Sequence, residues 1–458
     1  MLKKTLILFV VITSIWFGIF CGNVSADGKD IFWDGSIGCS WSDYRNWWVE
    51  AYPDPPGECC VPNNLSNVIL NNAQGVCLDT NGTAIINSLK NSGESWLSLQ
   101  TGWYPCLKMV NFLNQGELKI NGWQEHFIEI TGSFVNDTDA VLQISTNLSF
   151  QGSANLLNAG EFDVDPFCKV AMHDGEITNS GKLDIDGRLD NVSITNSGVV
   201  QVGGNGDIDA LNLLNNATIQ VYGGSLGSDN ELINSGSITG WGVVYGTSSF
   251  QNQTGGAITA SYGALRLVTD GTFSNSGIIK NLPLSSLDIW DWSSPTDVMN
   301  NGTIEVNTGG GVAVHSNLRN SEIIHLLGGA LSANTIIQNS GATFSGFGNI
   351  TADIVIENSG AMQFTGPTNI IGDVTIGTDA TLEVRDGQTL VTGHTTNNGT
   401  IHIIGGTIIF QGGLTNNGDI IRESSSYSNA SDFNYSGSVD GSDLAVFASE
   451  FGWTAGGE

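Results

Sequence analysis

Two neighbouring stretches, "NSGKLDI" (Asn179–Ile185) and "NSGVVQV" (Asn196–Val202), repeat one phrase: asparagine, a small residue, glycine, then a short strand with alternating apolar side chains. The phrase recurs outward in both directions. Before it stand "NSGES" at Asn91, "NQGELKI" at Asn114 and "NAGEFDV" at Asn158. After it come "NSGSITG" at Asn234, "NSGIIKN" at Asn275, "NNGTIEV" at Asn300, "NSGATFSGFG" at Asn339, "NSGAMQF" at Asn358, "NNGTIHI" at Asn397 and "NNGDIIR" at Asn416. "NNATIQV" at Asn215 and "NSEIIHL" at Asn320 are weaker copies. Copies follow one another at about 17 to 25 residues, a step that marks a solenoid-type repeat.

Asn-x-Gly supplies residues that tolerate left-handed backbone angles, so the chain turns there at little steric cost. The period-two strand that follows places alternate side chains on one face. One such strand cannot bury its face, whereas stacked coils bury a continuous column of Ile, Leu, Val and Phe. Asparagines at equivalent turns can stack into an amide ladder. The predicted fold is all-β: a right-handed parallel β-helix of about 16 to 17 coils at roughly 4.8 Å each, the hand taken from precedent. A β-sandwich array would need about seven strands before its pattern repeated.

Composition agrees. The chain has 458 residues, 60 of them glycine, and only 13% are charged, which argues against helix bundles. A formal net charge of -30 repels polyphosphate backbones, so nucleic acid is excluded as a partner. At the N-terminus, Lys3 and Lys4, the apolar run Thr5 to Phe20 and the small residues Val24-Ser25-Ala26 read as a signal peptide. The reading is therefore a secreted or cell-surface protein with no transmembrane segment after signal removal. Cys21 would suit a lipid anchor, but bulky Phe20 before it does not. Cys39, Cys59, Cys60, Cys77, Cys106 and Cys168 remain, enough for one to three disulfides, and no C-x-x-C pair or clustered histidine supports zinc.

The Asn-x-Gly coils resemble the β-helices of bacterial exported and autotransported adhesins. That resemblance implies an architecture and not a ligand; the expected role is adhesion or scaffolding, with an extracellular polysaccharide or surface protein as partner. The stretch before them, with Trp33, Trp41, Trp47 and Trp48, resembles the tryptophan-rich opening ahead of β-helical repeats in exported bacterial proteins. It would cap the first coil, since an exposed edge recruits other strands. Trp residues are also sugar-stacking platforms, and Trp103, Trp123, Trp241, Trp290 and Trp292 extend that possibility. "DIWDWSS" at Asp288 is the first candidate for carbohydrate contact. The expected organisation is signal peptide 1–26, cap 27–86, repeats 87–421, linker 422–431 and a tail 432–458.

The tail contains "DFNYSGSVDGSDL" (Asp432–Leu444). A helix-loop-helix calcium loop needs oxygen ligands at positions 1, 3, 5, 7, 9 and 12, with glycine at 6. Asp432, Asn434, Ser436, the Ser438 carbonyl, Asp440 and Asp443 fill them, and Gly437 is sixth. Leu444, Phe447, Ala448 and Phe451 then recur at helical spacing, giving an amphipathic exit helix. Three carboxylates imply modest affinity. The aspartate at position 12, with "VDGSDLA" around it, resembles the type I dockerin repeat. That implies calcium and, in cellulosomes, a cohesin-like partner and attachment to polysaccharide-degrading enzymes. Dockerins carry two such loops, and only one is found.

A catalytic centre is less legible. Asp163/Asp165, Asp184/Asp186 and Asp207/Asp209 each place two acids on one strand face, and their spacing suggests neighbouring coils. Such a stripe could act on glycans as a lyase or hydrolase, or keep the surface solvated. His126, His173, His315, His325, His394 and His402 are scattered, although His394 and His402 are close enough to meet across a turn. No serine-hydrolase, zinc-protease, P-loop or dinucleotide motif is present. The preferred expectation is a non-catalytic calcium-binding rod for adhesion, scaffolding or glycan contact. The alternative is a polysaccharide-degrading β-helix enzyme.

Overall fold

The structure, a computed structural model, describes residues 30–33, 47–49, 62, 66–70, 76–78, 84–99, 105–122, 124–152, 155–291 and 297–423. The chain divides into two units, 1–296 and 297–458. Among the described residues, each unit is a parallel β-solenoid built only from strands.

In the first unit each coil visits three sheets. Face 1 contains Ser88–Asn91, Asn111–Asn114, Ser133–Asn136 and Asn155–Asn158, and each pairs in parallel with the next. Face 2 follows the Asn-x-Gly turn, as in Ser95–Leu99, Glu117–Gly122 and Val141–Ser145. Face 3 closes the coil, as in Pro105–Met109, His126–Ile130 and Leu148–Gln151. Later strands run through a corner without interruption, so Lys169–Asn179 serves faces 3 and 1.

The alternation follows from the pleat. Phe162 and Val164 are fully buried while Glu161 and Asp163 face outward. Inward positions stack as columns: Leu118, Leu142, Phe162, Leu183 and Val200 lie in register on face 2 and all are 0% exposed. Rings join across coils: Phe112 and Phe134 meet edge to face at 4.9 Å, and Phe250 and Phe273 are tilted by 50° at 5.0 Å.

The expected amide ladder is present. From Asn91 through Asn114, Asn136, Asn158, Asn179, Asn196, Asn215, Asn234 and Asn252 to Asn275, each Nδ2 donates to the next Oδ1 at 2.6–2.8 Å. A second N–H bond reaches backbone carbonyls, for example Asn136 to Glu161 at 2.8 Å. Each buried amide thus fastens two coils, which a buried polar group requires.

The stack starts earlier than Asn87. Asn67–Leu70, Val76–Leu78 and Ala84–Ile85 pair in parallel beneath Ser88–Asn91, Ser95–Leu99 and Pro105–Met109, respectively. Leu70 occupies the ladder position, which is why that coil lacks the asparagine signal. Before it, Asp30–Trp33 pairs in parallel with Asn67–Leu70, and Trp47–Val49 runs antiparallel to Asp30–Trp33. Cys77 is disulfide-bonded, whereas Cys168 is a free thiol. Three disulfides among the six expected cysteines are therefore ruled out, because removing Cys168 leaves five and at most two pairs.

The second unit repeats the plan with a broken ladder. Asn300 donates to Asn320 at 2.6 Å, Asn320 to Gln338 at 2.8 Å, and Asn397 to Asn416 at 2.7 Å. Between Gln338 and Asn397 the same position holds Ile356 and Ile376, both 0% exposed. Asn339 and Asn358, which the repeat phrase suggested, stand one and two residues beyond it.

Two corners between faces 2 and 3 share a device absent from the repeat phrase. Gly240-Trp241-Gly242 and Gly346-Phe347-Gly348 have glycine φ values of 134°/127° and 122°/138°. Trp241 lies against Gly223 and Phe347 against Gly328, glycines of the preceding coil whose φ values are 94° and 84°. The corner turns tightly and leaves each ring about 40% exposed, at 41% and 39%.

Candidate ligand-binding groove on the third face

Register on face 3 of the first unit builds two outward columns. Asp209, Gly227, Tyr245, Val268 and Trp290 stand in line on successive coils. Beside them run Asp207, Ser225, Val243, Arg266 and Asp288. Together with Thr247, Thr269 and Asp270 at the edge, the later members line a groove of about 450 Å³.

Gly227 shapes one end. A methyl group there would fall 1.8–2.1 Å from three Tyr245 ring atoms, so the ring lies flat across the preceding coil. Its hydroxyl reaches one coil further and donates to Asp209 Oδ1 at 3.1 Å. Burial, then the Asp209 charge and this bond, raise the Tyr245 pKa, keeping it a neutral phenol. At the other end the Arg266 guanidinium sits over the Trp290 ring, 5.5 Å from its centroid. Flat apolar rings with charged and hydroxyl groups at their margins can stack a sugar ring and bind its hydroxyls.

The acids beyond Tyr245 are tied down. Arg188 bridges Asp190, Asp207 at 3.5 Å and Asp209 at 3.4 Å, and Lys169 lies 2.9 Å from Asp190. Burial raises the Asp207 pKa; Arg188 opposes this, and Asp209 and Asp190 add to it. Asp229 is raised by burial, then by Asp209 and Asp190.

The three acid pairs do not form one stripe. Asp163 and Asp184 are in register on face 2, with Gln201 next in line. Asp207 and Asp209 belong to face 3, because in their coil face 2 is already filled by Val199–Val202. Lys182 binds Glu161 at 2.8 Å and Asp184 at 2.5 Å. Burial works against the Lys182 charge, but these two bonds outweigh it and raise its pKa. Among the described residues Asp163 has no such partner: burial, then Asp165, Asp184, Glu161 and Asp186, push its pKa up to about 6.

Of the expected aromatic platforms, Trp290 lines the groove, Trp241 is exposed at its corner and Trp33 is buried at 4%. Trp41, Trp103, Trp123 and Trp292 lie outside the described residues, and Trp47 and Trp48 are described by backbone alone. Tyr245, Arg266 and Gly227 were not singled out from sequence. His394 and His402 do not pair: His394 Nε2 is 2.9 Å from Thr415 Oγ1, and His402 Nε2 is 3.0 Å from Glu423 Oε1. The calcium-loop residues Asp432, Asn434, Ser436, Ser438, Asp440 and Asp443 lie outside the described residues. Among the described residues, no group of three or more His, Cys, Asp or Glu side chains could hold a metal ion, and no helix is long and apolar enough to cross a membrane. Comparison with protein-family models, curated proteins and solved structures gave no match to this chain.

Proposed function

We propose that the chain is an exported, non-catalytic scaffold that holds an extended glycan along the third face of its first unit. The observation that carries this reading is the alignment of Tyr245 and Trp290 in one outward column of the groove. They are two coils apart, roughly 10 Å along the stack. That interval suits alternate rings of an extended sugar chain, with Arg266 and Asp270 placed to bond its hydroxyls. Affinity electrophoresis in polysaccharide gels tests it. Trp290→Ala is expected to weaken binding about 10-fold or more, roughly 1.4 kcal/mol, because a desolvated stacking platform is lost. Trp96→Ala, an exposed tryptophan on face 2, is expected to leave binding unchanged. Equal retardation of the wild-type and Trp290→Ala proteins would remove the groove from the account.

The loop from Asp432 to Asp443 is proposed to bind one calcium ion, on the strength of its ligand spacing. Equilibrium dialysis of the full chain should find one site of about 10⁻⁴–10⁻³ M that disappears in Asp432→Ala/Asp443→Ala. An unchanged isotherm in that variant would refute the assignment. The tryptophan-rich opening is proposed to cap the first coil, and the winding to be right-handed, as parallel crossover connections are.

A further inference from the structure

The corner between faces 2 and 3 of the first unit exposes a large apolar side chain on four successive coils: Tyr222 at 38%, Trp241 at 41%, Tyr262 at 89% and Leu284 at 83%. The stack does not require them, because two earlier coils turn the same corner through Gly187 and through Gly203-Gly204. Two of the four also sit on unfavourable backbone. Tyr262 and Leu284 have φ values of 63° and 64°, the left-handed region in which a large side chain is uncommon. Leu284 follows Pro283 in a turn closed by the Ser285 N–H on the Leu282 carbonyl at 3.0 Å, so it takes the place that such a turn gives to glycine. An exposed apolar side chain on strained backbone adds nothing to the fold that glycine would not supply, and strain of this kind gathers at ligand sites.

The ridge has a framed ring and an uncharged margin. The six-membered ring of the Trp241 indole rests against Gly223 of the preceding coil, and Gly263 of the next coil lies over its Cβ, where an added methyl group would approach to 3.3 Å. Gln220 and Thr239 precede Tyr222 and Trp241 by two residues on the same outward side, and the two pairs are in register. They belong to the face 2 column that begins with Asp163 and Asp184 and continues as Gln201, Gln220, Thr239 and Thr259, so the acids end before the ridge starts. We propose that this ridge is a second carbohydrate site, taking the apolar face of an uncharged polysaccharide. The Tyr222, Trp241 and Tyr262 rings stack on sugar rings, and Gln220 and Thr239 bond the hydroxyls at their edge. These residues stand outside the lining of the groove, so the ridge does not depend on it. Four coils span roughly 14 Å along the stack, the length of a short run of sugars. The uncharged column and a net charge of -30 offer nothing to an anionic lipid surface.

Affinity electrophoresis of the full chain in gels of hydroxyethylcellulose, xylan, galactomannan and soluble starch tests the proposal, with denaturation midpoints measured alongside. Two weak contacts on one polymer reinforce each other, so retention is expected to fall about tenfold or more in Tyr262→Gly and in Trp241→Ala. Tyr262→Gly also relieves the left-handed backbone, and its denaturation midpoint is expected at or above that of the wild type, which separates loss of the ring from loss of the fold. Wild-type retention matched by both variants would overturn the ridge, and if Trp290→Ala alone lost retention the groove would stand without it. Retention lost in Tyr262→Gly but kept in Trp290→Ala would support the ridge and remove the groove. Absence of wild-type retention in all four gels would overturn the proposal. A sedimentation coefficient that rises with concentration in the wild type and not in Tyr262→Gly, without retention, would overturn it too, assigning the ridge to a second copy of the chain.

Discussion

Replacing Asn196 with leucine is expected to destabilise the first unit by about 3 kcal/mol, read as a lowered denaturation midpoint for the transition that melts it. Asn196 is 0% exposed, accepts from Asn179 at 2.8 Å and donates to Asn215 at 2.8 Å. It also holds the turn, accepting from Gly198 N at 3.1 Å and donating to Thr218 O at 3.2 Å. Leucine has the same branching and number of side-chain heavy atoms but strands one N–H of Asn179 and removes the partner of Gly198 N, where water cannot replace it. The native interruption supplies the converse. Ile356→Asn alone would face Ile376 with an unmatched amide, and Ile376→Asn alone would face Ile356. Together they would connect Gln338 to Asn397. The double variant should therefore lose less stability than the sum of the singles, by about 1 kcal/mol or more. Strict additivity would contradict the ladder's energetic role.

Gly240→Ala is expected to cost more than about 3 kcal/mol, at the upper end for an alanine substitution. Gly240 sits at φ 134°, where a side chain is strained, and an added Cβ would lie 1.8 Å from the Val221 carbonyl oxygen. Backbone cannot yield as a flexible side chain would, so the corner that carries Trp241 must open. Gly346→Ala repeats the test in the second unit, with φ 122° and the Leu326 carbonyl also 1.8 Å away. By contrast, Gly204→Ala, whose Cβ would meet nothing nearer than 3.6 Å, should change stability little. The check is equilibrium denaturation of the three variants side by side. A loss at Gly240 no greater than at Gly204 would mean that the corner relaxes freely.

The repeating turn made the fold readable because its asparagine does two things visible in sequence: it precedes a glycine at the bend, and it recurs once per coil. Rungs lacking the glycine two residues on, Asn136 in "NDTDA" and Asn252 in "NQTGG", lay outside the phrase although they sit in the ladder. Leu70, Ile356 and Ile376 were hidden for a related reason. A buried rung is satisfied equally by a continuous amide chain or by apolar neighbours that leave nothing unpaired.

The groove was harder to read. Trp290 drew attention as an aromatic in an acidic stretch, but Gly227, Tyr245 and Arg266 meet it only through the register of coils whose lengths vary. The rung-to-rung step runs from 17 to 23 residues in the first unit, so equal spacing does not identify equal faces. The same irregularity put Asp207 and Asp209 on a different face from Asp163 and Asp184.

The most direct test of glycan contact without turnover is to incubate the full chain with neutral and acidic polysaccharides, with calcium and with chelator, measuring retention and release of reducing or unsaturated ends together. The account predicts retention of at least one polysaccharide, lost in Trp290→Ala, with no release of ends in either condition. Release of ends by the wild-type chain would contradict it and direct attention to Asp163, whose pKa is pushed up to about 6 by burial and then by the neighbouring acids.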